Sequence, residues 1–443
     1  MPVRNYRYVV MSLMALMAII NYIDRGAISY ASGPITKEFG LNTAQWGAVL
    51  GYFGYGYAIG ALFGGALADR KGPKWMWVVS GTAWSILEIS MIFAGQIGVA
   101  LLGGSALFGF AVFRVLFGLA EGPAFATINR SLAVWASPTE RGIATGLGLL
   151  GTPLGALLTA PVAVGLLALG SWRTMFVVLG SLGLIWVVVW LRMFTNRPAD
   201  NPRVGAEERE LLAAGTAVVD AQAGGKLLGA TVWRAFFGSR TLVANTVGFF
   251  AFLYVNFMLL TWTPKYLEDQ FGFKLGSLWY LGMVPWIGAC VTVLLGGRIS
   301  DWLARRTGSL RVARSWLAVV SLALTGVVFL CIPLVDSPAW VLVLLAVGNA
   351  FNFLPDTVYW TVVVDVAAGR AGTFSGIMHF FANIATVLAP TLTGVLVAAN
   401  GYGAMFLAAG VVCVLGMVAM VFVDPSVKVR FGAPSGPTMV ERA

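Results

Sequence analysis

Apolar residues along this chain are gathered into long blocks separated by short polar breaks, and the block length is the first informative quantity. A helix needs about 20 mostly apolar residues to cross a bilayer. Blocks of that size fall at about 7–29, 45–67, 75–95, 100–126, 143–168 and 173–194. A second set falls at about 240–264, 277–298, 313–333, 338–362, 372–396 and 403–424. The pattern predicts twelve spanning helices, spans 1 to 12. The first block lacks a small-residue cleavage site and contains Asp24 and Arg25, so it reads as span 1 rather than a removable leader.

The charges between the blocks alternate. Arg70, Lys71 and Lys74 follow span 2, and Arg305, Arg306 and Arg311 follow span 8. The stretch between spans 6 and 7 holds Arg197, Arg203, Arg209, Lys226 and Arg234, whereas 95–100 and 398–402 hold no Lys or Arg. By the positive-inside rule, the termini and the middle segment 195–239 are expected on the cytoplasmic side. That segment carries Pro198 and Pro202 and is the one substantial linker, so 1–194 and 240–443 are expected to form separate six-helix bundles.

Composition agrees with a bilayer as solvent. The 443 residues are 58% hydrophobic and 11% charged, where soluble domains carry about 25% charged residues. The net charge of +10 comes from Lys and Arg lying between apolar blocks, which argues against a nucleic-acid face. Cys290, Cys331 and Cys413 each lie inside an apolar block without metal-ligand spacing, and read as small packing residues. No metal and no cofactor is implied. The lone His379 has no nucleophile motif beside it, so the chain is not expected to be an enzyme.

The two halves repeat. Asp69 and Asp301, each in the loop after the second span of its half, are 232 residues apart, as are Pro123 and Pro355. Gly146 and Gly376, near the start of spans 5 and 11, are 230 apart. A nearly constant offset implies two structural repeats with a site at their interface near the midplane. The run Gly65-x-x-x-Asp69-Arg70-x-Gly72-x-Lys74 resembles the signature of the major facilitator superfamily. The resemblance implies an all-α membrane protein of twelve transmembrane helices in two pseudo-symmetric bundles. It also implies a cytoplasmic latch built from Asp69 with Arg70, and from Asp301 with Arg305 and Arg306.

Seven ionisable residues lie within the blocks: Asp24, Arg25, Glu88, Arg114, Glu121, Asp356 and His379. Each costs roughly 2.5–3.5 kcal/mol at a bilayer centre on insertion scales, so such groups are expected to face the bundle interior and line a pathway. Arg114 and Glu121 are seven residues apart, hence within about 20° of one helix face and roughly 10 Å apart along the axis. Asp24 and Arg25 point about 100° apart, so one is expected to face span 4 and the other the cavity. Arginines offer planar forks to a carboxylate, and buried carboxylates offer places for protons. An arriving anion that occupies an arginine frees its carboxylate partner to take a proton. Glu88 reads as a structural acid.

Asn21-Tyr22-Ile23-Asp24-Arg25 and Arg114-x-x-x-Gly118-x-x-Glu121-Gly122 resemble the anion:cation symporter branch of the superfamily, which includes hexuronate, galactonate, glucarate and tartrate transporters. That resemblance implies proton sites at Asp24 and Glu121, and arginines at Arg25 and Arg114 that hold the substrate carboxylate or pair with those acids. It also implies substrate hydrogen bonds from Tyr22 and Tyr57. Further candidates on the cavity are Thr152, Tyr359, Trp360, His379 and Asn383. The chain departs from the sugar-acid pattern at Ala61 and His379, where Gln and Asn are common.

The expectation is a monomeric, proton-coupled symporter of a small organic anion in a bacterial inner membrane. An aromatic carboxylate as substrate, an anion exchanger or uniporter, and a membrane receptor are the alternatives. Trp46, Trp75 and Trp172 are expected in an interfacial belt.

Overall fold

The computed structural model describes residues 5–101, 103–136, 141–213, 229–367 and 371–429. Among them eleven helices are long and apolar enough to cross a membrane: Tyr6–Tyr30, Pro73–Leu101, Ala106–Leu132, Gly148–Leu169 and Trp172–Met193 in the first half, and Arg240–Phe271, Leu275–Thr307, Val312–Leu334, Pro338–Ala367, Gly372–Asn400 and Tyr402–Val421 in the second. They correspond to spans 1, 3 to 6 and 7 to 12. Span 2 is the helix Thr43–Lys71, 29 residues long. Tyrosines and glycines lower its hydropathy; it packs against two other helices and leaves Tyr55, Ile59, Phe63 and Leu67 exposed.

Those glycines set its position. A side-chain carbon on Gly118 of span 4 would lie 2.1 Å from the Phe53 carbonyl oxygen, and one on Gly56 would lie 1.8 Å from the Val115 carbonyl oxygen. Spans 2 and 4 therefore cross backbone to backbone, as small residues permit in membranes. This explains the glycine between Arg114 and Glu121. On another face, a carbon on Gly47 would be 2.8 Å from Gly394 Cα, and one on Gly51 would strike Thr391. Span 2 is thus held against span 11 of the other half.

All these inter-half contacts lie at one end of the molecule. Gly26 abuts Thr159 and Leu260, and Gly282 abuts the Tyr30 hydroxyl and Ala160. The two halves are sealed at the end away from the basic loops. Spans 4 and 10 are both broken, between Glu121 and Ala124 and between Phe353 and Asp356. The breaks fall at Pro123 and Pro355, because proline removes an amide donor and clashes with the preceding turn.

At the basic end the linker is tied down. Glu208 accepts the backbone amides of Tyr6 and Arg7, each at 2.9 Å, and an Arg7 N–H at 3.0 Å. Its carboxylate satisfies otherwise unbonded amides at the start of span 1, where negative charge is favoured.

Two sequence expectations need correction here. Asp301 pairs with Arg314 at 3.3 Å, and Arg314 also meets Asp365 at 3.2 Å. Arg305 and Arg306 are exposed instead, Arg306 lying over the Trp302 ring. Arg314 comes close because the chain re-enters the membrane through a π-helical turn at Val312–Trp316. Arg70 is exposed, and the Asp69 side chain lies outside the described residues. Of the belt tryptophans only Trp75 is exposed; Trp46 is buried, and Trp172 is buried while its indole donates to Glu38 at 3.0 Å.

Candidate functional site

Span 1 continues as an unbroken helix through Asn21–Tyr30, and the 100° between neighbours separates the roles of Asp24 and Arg25. Arg25 turns to span 4: its Nε donates to Glu121 Oε1 at 2.7 Å, with the side chains 3% and 0% exposed. Asp24 turns to span 3, where the Trp84 indole donates to its Oδ2 at 2.8 Å. The expectation that one of the pair faces span 4 holds. The other is enclosed by span 3 rather than facing an open cavity.

Around the Arg25 guanidinium stand four rings, with centroids at 4.2 Å for Tyr57, 5.1 Å for Tyr22, 5.2 Å for Phe53 and 5.9 Å for Phe125. The negative faces of such rings favour a cation that has lost its water. One Arg25 amino group, Nη2, has no hydrogen-bond acceptor among the described residues, and Glu121 Oε2 has no donor. The pair is therefore joined by a single bond, with one donor and one acceptor left over.

Arg114 lies elsewhere. It is buried, with its guanidinium 5.0 Å from the Phe53 ring and 5.8 Å from the Phe117 ring. It makes only a long contact, 3.5 Å, to the Leu50 carbonyl. Among the described residues it forms no ion pair, so the Arg114 and Glu121 side chains do not meet, as their 10 Å axial separation required.

The C-terminal half supplies the opposite wall. His379, half-buried on span 11, faces Tyr57 of span 2 with ring centroids 6.4 Å apart, and packs against Trp360 at 5.4 Å and Phe249 at 6.2 Å. Asn383 donates to the His379 carbonyl at 2.7 Å, bridging the break in span 11. Tyr359 is fully buried against Phe249 and Phe252, and its hydroxyl finds no partner among the described residues. Asp356, also buried, begins the second segment of span 10, where the helix dipole favours a carboxylate. Thr152 donates to the Leu149 carbonyl of its own helix at 2.8 Å, which leaves its oxygen free only as an acceptor. No group of three or more His, Cys, Asp or Glu suited to a metal occurs among the described residues.

The sequence therefore named Tyr22, Arg25, Tyr57, Glu121, Trp360 and His379, which the fold brings to one junction between the halves. Asn383 supports it through the backbone. Trp84 and the rings of Phe53, Phe125 and Phe249 were not named. A tryptophan in the middle of a span, far from either interface, needs a buried partner for its N–H, and that was the available signal for Trp84.

The family model described as Major Facilitator Superfamily matches residues 14–385 and 307–438. Relatives include a hexuronate transporter of Bacillus subtilis (strain 168), 32% identical over 436 residues, covering 96% of each chain. A probable sulfoacetate transporter of Cupriavidus necator is 33% identical, covering 95% of this chain and 94% of its own. A probable galactarate/D-glucarate transporter of Escherichia coli (strain K12) is 29% identical, covering 90% and 88%. Among solved structures, a bacterial homologue of the human lysosomal transporter Spinster, in an inward-facing and unoccupied conformation, superposes with a TM-score of 0.69 at 18% identity over 95% of both chains. With its paired bundles, broken spans and charged junction, the chain belongs to the Major Facilitator Superfamily and is a multi-pass membrane transporter rather than an enzyme.

Proposed function

We propose that this transporter is a symporter that carries a small organic anion together with protons by alternating access. The observation that supports it most is the Arg25–Glu121 pair, buried between the halves and joined through one bond. A substrate carboxylate that takes two N–H groups of Arg25 displaces Glu121. The freed Glu121 carboxylate, buried and without its cation, then takes a proton. Loss of the anion returns Arg25 to Glu121 and releases the proton. Asp24 is the second proton site, held by Trp84.

Tyr22, Tyr57, Tyr359, Trp360 and His379 line the substrate space, Arg114 offers a second guanidinium, and Thr152 and Asn383 border it. Asp69 with Arg70, and Asp301 with Arg314, act at the basic end, where the halves part when the far end is sealed. The chain works as a monomer in a bacterial inner membrane with both termini cytoplasmic, as the basic loops favour. Relatives named for hexuronate, galactarate/D-glucarate and sulfoacetate support an acid anion as cargo. The ring walls favour a second reading, an aromatic carboxylate stacked between Tyr57 and Trp360.

The test is uptake into proteoliposomes under an imposed inward proton gradient, with labelled glucuronate, sulfoacetate and benzoate. The gradient is expected to drive accumulation of one of these, and Glu121→Gln to abolish it. Equal accumulation by the Gln variant would remove Glu121 from the coupling. Preference for benzoate would select the second reading.

A further inference from the structure

Glu88 has no part in the mechanism above, yet its setting is the most demanding in the molecule. Its side chain is 0% exposed, and neither carboxyl oxygen has a hydrogen-bond donor among the described residues. It lies on span 3 one helical turn beyond Trp84, roughly 6 Å further from the basic end, on the same face. Trp84 is the residue that donates to Asp24 Oδ2, and Asp24 Oδ1 is likewise without a donor. Two unsatisfied carboxyl groups thus occupy neighbouring levels of one buried layer.

The charges that act on Glu88 come from Asp24 on span 1 and from Arg114 and Glu121 on span 4. Span 6, packed along the other side of span 3, presents Gly180, Gly183 and Val187 to it and contributes no ionisable group there. Three carboxylates therefore share two guanidiniums, and the best geometry, Arg25 with Glu121, consumes one of these. Asp24 keeps the Trp84 N–H. Glu88 keeps nothing. An ionised carboxylate without partners is costly in a low dielectric, whereas a proton on Glu88 removes that charge and gives the buried layer a donor.

We propose that Glu88 is a third proton-carrying site, a relay between the sealed end of the molecule and Asp24. When that end opens, a hydronium ion gives its proton to a Glu88 oxygen and leaves as water. The O–H of Glu88 then passes the proton to Asp24 Oδ1, and Glu88 is left as the carboxylate, ready for the next one. The relay rests on the proton-coupled reading above, and the tests separate the two.

The first test needs no substrate. Infrared difference spectra of the purified full-length protein at neutral pH should show the C=O stretch of a buried protonated carboxyl group. The band is expected to vanish in Glu88→Gln, to persist in Glu121→Gln, and to shift in Asp24→Asn, which replaces the acceptor. Glu88→Asp, which keeps an acid in the layer, is expected to retain a shifted band and guards against a folding defect. An unchanged band in Glu88→Gln overturns the proposal.

The second test uses vesicles. Glu88→Gln should retain exchange of labelled for unlabelled glucuronate, which moves no net proton, and lose gradient-driven accumulation at least tenfold. Accumulation equal to wild type, or loss of exchange together with accumulation, overturns the relay. The infrared result decides the site even where the wild-type protein moves no glucuronate, a result that counts only against the substrate reading.

Discussion

Arg25 Nε and Glu121 Oε1 lie 2.7 Å apart with almost no access to solvent, while Arg114, two turns away on Glu121's own helix face, joins no carboxylate among the described residues. The paired charge between spans 1 and 4 is thus concentrated in one single-bonded pair, and each member is the other's ion-pair partner.

Removing one member should therefore harm the protein more than removing both. Glu121→Leu strands a buried guanidinium and is expected to lower stability by about 3–5 kcal/mol. Adding Arg25→Leu is expected to recover part of that loss, since two apolar side chains fill the space without an unpaired charge. Unfolding curves in detergent for the two single variants and the double variant measure the coupling. Additive losses would show that the pair is no energetic unit.

The seal between spans 2 and 11 depends on the absence of side chains at Gly47 and Gly394, whose backbones touch. Gly394→Leu cannot fit there, and overpacking a well-packed contact is expected to cost about 1–3 kcal/mol. Because two packed states compete in alternating access, that cost falls on the sealed state and shifts the population towards opening at this end. A cysteine at Thr391, which faces Gly51, with the three native cysteines replaced by alanine, should then react several-fold faster with a membrane-impermeant thiol reagent. Unchanged labelling would mean that this contact does not control access.

At the sealed end, hydrogen bonds from Arg173 and Trp172 hold the Glu38 carboxyl below its ordinary value of 4.5. The sign follows from the depressed value: the contribution is complete above pH 4.5, where unfolded Glu38 is also ionised, and disappears as pH falls through the lower folded value. Glu38 is partly exposed, so the pair is worth about 1 kcal/mol at most. Wild type and Glu38→Gln should differ slightly in melting temperature at pH 7 and converge once the pH falls below the lowered folded value, with the difference shrinking in high salt. A difference that persists in acid would locate the effect elsewhere.

Much of this was legible in the chain. Block lengths of about 20 residues dictated spanning helices, because hydrocarbon leaves a backbone no other partner than itself. The offset between Asp69 and Asp301, and between Pro123 and Pro355, exposed the repeat, and the structure breaks spans 4 and 10 at that second pair. The cost of charge in lipid marked Asp24, Arg25, Glu88, Arg114, Glu121, Asp356 and His379 as interior groups; the first six are buried and His379 is half-buried.

Which of them would pair was not legible, because pairing depends on azimuth and depth between helices far apart in sequence. Periodicity put Arg114 and Glu121 on one face; only the crossing of span 1 over span 4 decided that Arg25 takes Glu121. A loop pattern suggested Arg305 and Arg306 for Asp301, but the π-helical turn after the loop delivered Arg314 instead. Trp46 and Trp172 looked interfacial by position along their spans and are buried by the packing of neighbours. Sequence determined what must leave water and what must stay out of lipid, since those are properties of each residue alone. Tertiary structure decided who meets whom, since a contact between distant helices is a property of two surfaces, with Gly118 and Gly394 fixing how closely they approach.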